Sequence, residues 1–477
     1  MKTDLAIIGG GPGGYTAALR AAQLGMSVVL IESTQLGGVC LNRGCIPSKA
    51  MVQTATLVRQ IKNADKFGVV VDGSVRIDYA AVLARRDAVV KRLRNGTRGL
   101  LQHAKVTMMS GVASFTGPHT LRVEPVAHDI DAGEEAVLRE AQTIEADHII
   151  IATGSRPLRL PVPGADDPRV LDTDGALALR EVPESIVVVG AGPVGCEWSQ
   201  IFARLGSTVT VLEMLPALLP RADADISAEM AKAFKRDGMK VHTNTMLKAV
   251  RDIGSSLEVE LSEQGSDNST TVTARYVLIG AGRGPNTEGL DLHAAGVQPG
   301  AKGWIPTDDY QRTNVPSVLA IGDVTGVALL AHVATHQGVI AVEKLAGLSP
   351  QPLRPDRIPA VTYTEPEMAG VGLTEAEARE EYGEVLVGRF PLAASGRAVA
   401  QGDDHGLVKV IAEPRHGRLL GLHMAGAHVG EMLGEAVLAL ELEATLDELG
   451  SMIRSHPTLA EAVGEAALAA QGRALNI

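Results

Sequence analysis

A glycine-rich turn between two apolar runs occurs twice in this chain, and that repeat constrains its fold more than any other feature. Asp4–Glu32 reads DLAIIGGGPGGYTAALRAAQLGMSVVLIE, and Ser185–Glu213 reads SIVVVGAGPVGCEWSQIFARLGSTVTVLE. Each begins with a short apolar run of strand length, continues through G-x-G-x-x-G into a helical stretch, and closes with a second apolar run and an acid. Gly9, Gly11, Gly14 and Glu32 match Gly190, Gly192, Gly195 and Glu213 at one constant offset. In such a βαβ unit the first glycine permits a tight turn, the second lets backbone approach a pyrophosphate, and the third lets helix pack on strand. The helix start offers unpaired N–H groups to phosphate, and the acid accepts ribose hydroxyls. Two intact units predict two dinucleotide sites. A carboxylate repels a 2′-phosphate, so Glu213 points to NAD rather than NADP. Hydride exchange needs one nicotinamide only, so the other site is expected to hold a cofactor that stays bound, FAD.

Composition narrows the class. At 477 residues the chain has room for about three domains. Its net charge of −12, with dispersed basic residues, disfavours nucleic acid as a partner. The N-terminal apolar run, Leu5–Ile8, is too short for a signal peptide, and no apolar window reaches membrane length. A cytoplasmic protein without a membrane span is therefore expected.

In that compartment cysteines stay reduced, and a close pair is more often catalytic or metal-binding than structural. The chain has three cysteines, and two of them share the segment GGVCLNRGCIPSK, as Cys40 and Cys45. The link from Glu32 to Cys40 spans at most about 28 Å, within reach of a cofactor bound at the first motif. In an unbroken helix, Cα atoms at i and i+5 lie about 8 to 9 Å apart, too far for a disulfide. A bonded pair thus requires a distortion at or near Gly44. Two ordinary core cysteines remain the alternative, and metal is disfavoured because no C-x-x-C or second ligand pair accompanies them. His332 and His336 stand at i and i+4 but lack the glutamate and third ligand of a zinc site, so no metal is expected.

Further strand-end signals follow: HIIIATGSRP at 148–157, YVLIGAGRGPNT at 276–287, and VLAIGDV at 318–324. The first two read as the crossings by which the chain leaves one nucleotide domain for the other and returns. A proline-rich stretch, SPQPLRPDRIP, marks a later boundary.

Taken together, the C-x-x-x-x-C segment, both nucleotide motifs, ATGS, AIGD and the C-terminal SHPTLAE resemble the flavoprotein disulfide reductases, the class I pyridine nucleotide-disulfide oxidoreductases. GCIPSK, Glu213 and HPTLAE are most similar to the dihydrolipoamide dehydrogenase group. The resemblance covers nearly the whole chain. It implies an α/β fold with an FAD domain (1–150), an NAD domain (151–278), a central domain completing the FAD site (279–347) and a C-terminal α+β dimerisation domain (348–477). It also implies a homodimer that oxidises dihydrolipoamide, carried as the lipoyl group of a 2-oxo acid dehydrogenase or glycine cleavage complex. The alternatives are an NADH-dependent reductase of another small disulfide and a non-catalytic redox sensor.

Roles carry over position by position. Cys40 would exchange with substrate sulfur, and Cys45 would face the flavin. Lys49 and Glu197 would pair near it, although a surface lysine and a helix acid is an equally good reading of those two. Ala113, Thr153, Gly154, Ser155, Asp323 and Leu329–Leu330–Ala331–His332 would line FAD. Leu247 and Gly282 would touch NAD. His456 would be the acid–base group, with Glu461 holding its ring; Thr458-x-x-Glu461 also reads as a capping box. Three departures bear on substrate. Arg454 stands where dihydrolipoamide dehydrogenases commonly carry histidine, and it is expected to alter the substrate channel. Pro193 replaces the tyrosine lid of glutathione reductases, and the GRALNI terminus lacks the cysteine pair of mercuric reductases.

Overall fold

The apolar runs pair in parallel, as strands covered on both faces do. A computed structural model describes residues 1–126, 138–265 and 268–477. The chain forms two units, each assembled from three segments: Met1–Ala50, Ala80–Leu158 and Gly282–Leu353 in the first, and Met51–Tyr79, Arg159–Ala281 and Arg354–Ile477 in the second.

In the first unit the parallel strands lie in the order Thr107–Gly117, Val28–Glu32, Lys2–Ile8, Gln142–Ile151, Val318–Ala320. Thr120–Pro125 joins Thr107–Gly117 to Gln142–Ile151 as an antiparallel meander. Alternation sorts their side chains. Leu5, Ile7, Leu30 and Ile150 pack with Ala17, Ala18 and Ala21 of the helix Pro12–Gln23, while Ala6, Ile8, Val29 and Ile31 fill a core on the other face. Small residues on that helix bring its axis close to the sheet.

The second unit repeats the scheme. Its parallel order is Lys240–His242, Thr208–Leu212, Ser185–Val189, Tyr276–Ile279, Val170–Leu171, followed by an antiparallel meander of Thr245–Asp252, Leu257–Glu263 and Ser269–Ala274. A separate antiparallel sheet then runs Ala360–Thr362, Glu367–Gly372, Leu419–Gly426, Leu407–Ala412, Leu386–Pro391. Leu433 and Ala436 of the helix Val429–Glu441, and Val463 and Ala467 of Glu461–Ala470, close its core against Val408, Val410, Leu422 and Met424. No described helix is long and apolar enough to cross a membrane.

One polar cluster interrupts that packing. Lys409, in the middle of the strand Leu407–Ala412, is 1% exposed. Its Nζ lies 2.7 Å from Asp223 and from Asp225 and 2.8 Å from Glu375. Arg389 adds a second cation on Asp225 and Glu375. Burial alone would raise the Glu375 carboxyl, but its bonds to Lys409 and Arg379 prevail and lower it to about 2. A carboxyl depressed on folding contributes stability above its unfolded value of about 4.3, and loses it as pH falls through the folded one. Lys409→Met should therefore cost about 3 to 5 kcal/mol at neutral pH, where it leaves three carboxylates without their shared cation. The gap in melting temperature between wild type and variant should narrow steadily from about pH 5 to pH 2. Thermal unfolding at stepped pH reads it directly.

Candidate active site

Both nucleotide motifs close in the same way. Gly9 and Gly190 have φ of +108° and +96°, which side-chain-bearing residues rarely adopt. A Cβ on Gly14 would fall 1.9 Å from the Gly9 carbonyl oxygen, and one on Gly195 1.8 Å from that of Gly190. Only hydrogen fits there. At the end of the second strand, the Glu32 Oε2 accepts from the Gly10 N–H at 2.7 Å, and the Glu213 Oε2 accepts from that of Ala191 at 2.6 Å. The other oxygens accept from the N–H of Thr34 and of Leu215. Glu32 takes one bond more, from the Thr34 hydroxyl at 2.9 Å. Leu215 has no hydroxyl, so Glu213 keeps an extra lone pair for a ligand.

The residues fit bound dinucleotides. The helices Pro12–Gln23, Pro193–Leu205 and Ala331–Leu345 start at Gly11, Gly192 and Leu330, and none has a side-chain cap. Their first N–H groups are left for phosphate or other acceptors. Ala331 and His332 form the first turn of the third helix, with Leu329 just before it. Asp323, on the turn after Val318–Ala320, accepts from the Ser155 hydroxyl at 2.5 Å. Burial raises its carboxyl against the opposing effects of Ser155 and Arg283. Gly154 lies in an open turn beside it, with no atom within 4 Å of a would-be Cβ. Ala113 is buried on Thr107–Gly117. In the second unit Leu247 is buried beside a bulge in Thr245–Asp252. Gly282 belongs to the first unit, where its carbonyl accepts from the Leu158 N–H.

Arg283 and Asn286 were not singled out by the sequence reading, although GRGPN carries both. Arg283 donates through Nε to the Ser155 hydroxyl at 2.7 Å and through Nη2 to its carbonyl at 2.6 Å. Asn286 donates to the Thr153 carbonyl, and the Thr153 hydroxyl donates back to the Asn286 carbonyl. The two crossings pair as a short antiparallel ribbon of Ser155–Pro157 with Arg283–Pro285, which fixes both ends of this network.

The cysteines stand at a helix break. Gly38–Arg43 is one helix and Cys45–Lys62 the next; Gly44 between them has φ −135° and ψ −110°. The distortion required by the spacing is at Gly44. Both cysteines are thiols here. A hydrogen bond to Cys45 is the main reason the Cys40 thiol is pushed up, with burial second, while the Lys49 charge lowers it. Cys45 stands at the first position of the second helix, across the break from Cys40. Lys49 follows one turn later on that helix. Glu197 lies buried in Pro193–Leu205, where its Oε1 accepts from the Tyr363 N–H at 2.9 Å.

His456 and Glu461 meet. The imidazole Nδ1 lies 2.9 Å from Glu461 Oε1, and Oε2 accepts from the Thr458 N–H at 2.8 Å. The Thr458 hydroxyl donates to the Ser455 carbonyl instead of capping, and the helix begins only at Glu461 with no side-chain cap. Of the two bonds of a capping box, only the one from the Thr458 N–H to Glu461 is made. The Thr458 bond is the largest influence lowering the Glu461 carboxyl, so it stays ionised beside the ring. The Arg454 side chain is 6% exposed and bonded within its own domain. Among the described residues no group of three or more His, Cys, Asp or Glu is placed to hold a metal ion.

Comparison with known proteins agrees with this arrangement. Residues 3–338 match the family described as pyridine nucleotide-disulphide oxidoreductase, and residues 358–467 match its dimerisation domain. The chain is 41% identical to a dihydrolipoyl dehydrogenase of Bacillus subtilis, over 99% of each chain. It is 42% identical to one of Thermus scotoductus, covering 100% of this chain and 99% of that one. Among solved structures, LpdA of Mycobacterium tuberculosis superposes with a TM-score of 0.87 at 27% identity, covering 98% of this chain and 99% of that one. With two nucleotide motifs, a hydrogen-bonded thiol pair beside the first and a dimerisation domain behind them, the chain belongs to the pyridine nucleotide-disulphide oxidoreductase family.

Proposed function

We propose that this chain is an FAD-dependent dihydrolipoamide dehydrogenase that oxidises dihydrolipoamide and delivers the electrons to NAD⁺. The observation that carries this reading is the thiol pair Cys40 and Cys45, set on either side of the helix break at Gly44 that follows the first nucleotide motif. The curated relatives at about 40% identity over the full length bear the corresponding name.

In the oxidised enzyme Cys40 and Cys45 form the disulfide. His456 takes a proton from one substrate thiol, and the resulting thiolate attacks the Cys40 sulfur, breaking the Cys40–Cys45 bond. The second substrate thiol then attacks the substrate sulfur of the mixed disulfide and displaces Cys40, its proton passing to the Cys40 sulfur; cyclic lipoamide is left, with Cys40 a thiol, Cys45 a thiolate and His456 protonated. Two electrons and two protons have moved from substrate to protein. Glu461, ionised, keeps the imidazole in one tautomer and balances its charge after proton uptake. Bound FAD supplies the two-electron relay between the Cys45 sulfur and NAD⁺. Gly9, Gly11, Gly14, Glu32, Lys49, Ala113, Thr153–Ser155, Asp323 and Leu329–His332 would hold FAD. Gly190, Gly192, Gly195, Glu213, Leu247 and Gly282 would serve NAD, and Glu197 would face Lys49. In this reading 1–150 and 279–347 build the FAD site, 151–278 the NAD site, and 348–477 the dimer.

The protein is a homodimer. Its dimerisation domain leaves Ile453 97% exposed and Leu442 72% exposed, an apolar surface that calls for a partner. The lipoyl group of a 2-oxo acid dehydrogenase or glycine cleavage complex is the expected carrier of substrate. The cytoplasm is the expected compartment, because the cysteine pair must cycle through its dithiol form.

Three outcomes follow. Purified enzyme should reduce NAD⁺ with dihydrolipoamide, and Cys40→Ser or Cys45→Ser should abolish this; turnover of other disulfides from NADH with none of dihydrolipoamide would overturn the reading. NAD⁺ should exceed NADP⁺ in kcat/KM by about a hundredfold or more, since a 2′-phosphate would face the Glu213 charge. Glu213→Gln, which retains an acceptor for Ala191, should narrow that ratio. Mixed dimers of Cys45→Ser with His456→Ala should regain up to about half of normal activity per dimer, because one of two shared sites is then intact. Recovery of nothing on mixing would show that each subunit uses its own histidine.

A further inference from the structure

The loop that carries His456 is held at both ends. Glu461 holds the imidazole itself; Arg454, two residues before it, holds the backbone. The Arg454 Nη1 donates to the Leu449 carbonyl at 2.8 Å and to that of Met452 at 3.4 Å, and Nη2 pairs with Glu435. Leu449 belongs to the helix Leu446–Ser451 and Glu435 to the helix Val429–Glu441. A third helix, Glu461–Ala470, passes beneath: a Cβ on Gly464 would lie 2.6 Å from Nη1. That helix also begins with Glu461. One guanidinium thus locks the loop to three helices, including the one that presents the base's own carboxylate.

Burying this cation is costly unless its bonds are well made. A flat fork with several donors can meet two carbonyls and a carboxylate together, and an ammonium cannot reproduce that shape. His456 gains no comparable support from packing, being 80% exposed with Glu461 as its side-chain partner. Glu435, the acid of this ion pair, also lines a cleft of about 600 Å³ with Pro457, Thr458, Leu459 and Ala460 of the base's loop. A shift of about 1 Å in a proton-transfer group can cost a hundredfold in rate.

We infer that Arg454 is a positioning residue for the His456 base, its fork on Leu449 and Glu435 fixing the loop so that the imidazole meets the substrate thiol at a set distance and angle. The inference rests on the dihydrolipoamide reading above.

The test compares dihydrolipoamide–NAD⁺ turnover, which uses the base, with NADH–ferricyanide turnover, which does not. Arg454→Met should lower kcat for dihydrolipoamide about ten- to a hundredfold with little change in KM, and leave ferricyanide turnover within about twofold. Arg454→Lys should recover only part of the loss, and Glu435→Gln should show a smaller loss in the same direction. In a His456→Ala background, Arg454→Met should have almost no further effect, because a residue that acts through the base cannot matter once the base is gone. Losses that multiply in the double variant, or that fall equally on both assays, would overturn the inference. If Arg454→Met does not fold as a dimer, Glu435→Gln and its His456→Ala double variant decide by the same criteria. Wild-type enzyme inactive with dihydrolipoamide would instead overturn the substrate reading, an outcome distinct from multiplying losses in an active wild type.

Discussion

A carboxylate bonded to a backbone N–H at the end of the second strand holds each nucleotide motif together. Glu32 reaches back to Gly10, and Glu213 to Ala191, from the strand next door. The bond ties the glycine turn to the neighbouring strand, and the glycine N-cap that follows leaves the helix start without a side-chain cap. A hydrogen bond to a charged group contributes about 1.5 to 3 kcal/mol, more than a neutral one. The same carboxylate has lone pairs left over for ribose hydroxyls. In the proposed reading one group serves both structure and ligand. A neutral apolar residue there would loosen the turn as well as weaken binding.

Because the two motifs share this lock, their differences stand out. Thr34 gives Glu32 a hydroxyl bond that Leu215 cannot give Glu213. The first acid is therefore the more fully bonded, as suits a cofactor that stays, and the second keeps more capacity for one that exchanges. Past the first acid the chain enters the two short-spaced helices with Cys40 and Cys45. Past the second it exposes Met214 and Leu215, at 52% and 44%. One architecture, used twice, is specialised by a few residues at the end of one strand.

How much of this was legible in the sequence depended on how local its cause was. The strands, the glycine turns and the break at Gly44 follow from spacing within a few residues, and each is where the pattern puts it. The contact of His456 with Glu461 was legible for the same reason. Lys409 was not, since LVKVI reads as an apolar strand and its partner Asp223 lies on a distant segment. The bonding of Arg454 was not legible, because nothing nearby in sequence shows that Gly464 makes room for it or that Glu435 meets it. Arg283 and Asn286 sat in a quoted motif, but their roles appear only once the two crossings pair as a ribbon.

The exposure of His456 completes the physical argument. A general base works best where water is thin and its ring is fixed, yet this imidazole is 80% exposed in the single chain. Glu461 orients Nδ1, so the opposite nitrogen is the one left to exchange a proton. Three residues before it, Ile453 is almost fully exposed, which water does not favour in a large aliphatic side chain. In the proposed shared-site dimer, association that covers Ile453 also removes water from around the imidazole. In that proposal the exposed Ile453 and the imidazole lie on one short loop, with Arg454 between them tied to Leu449 and Glu435.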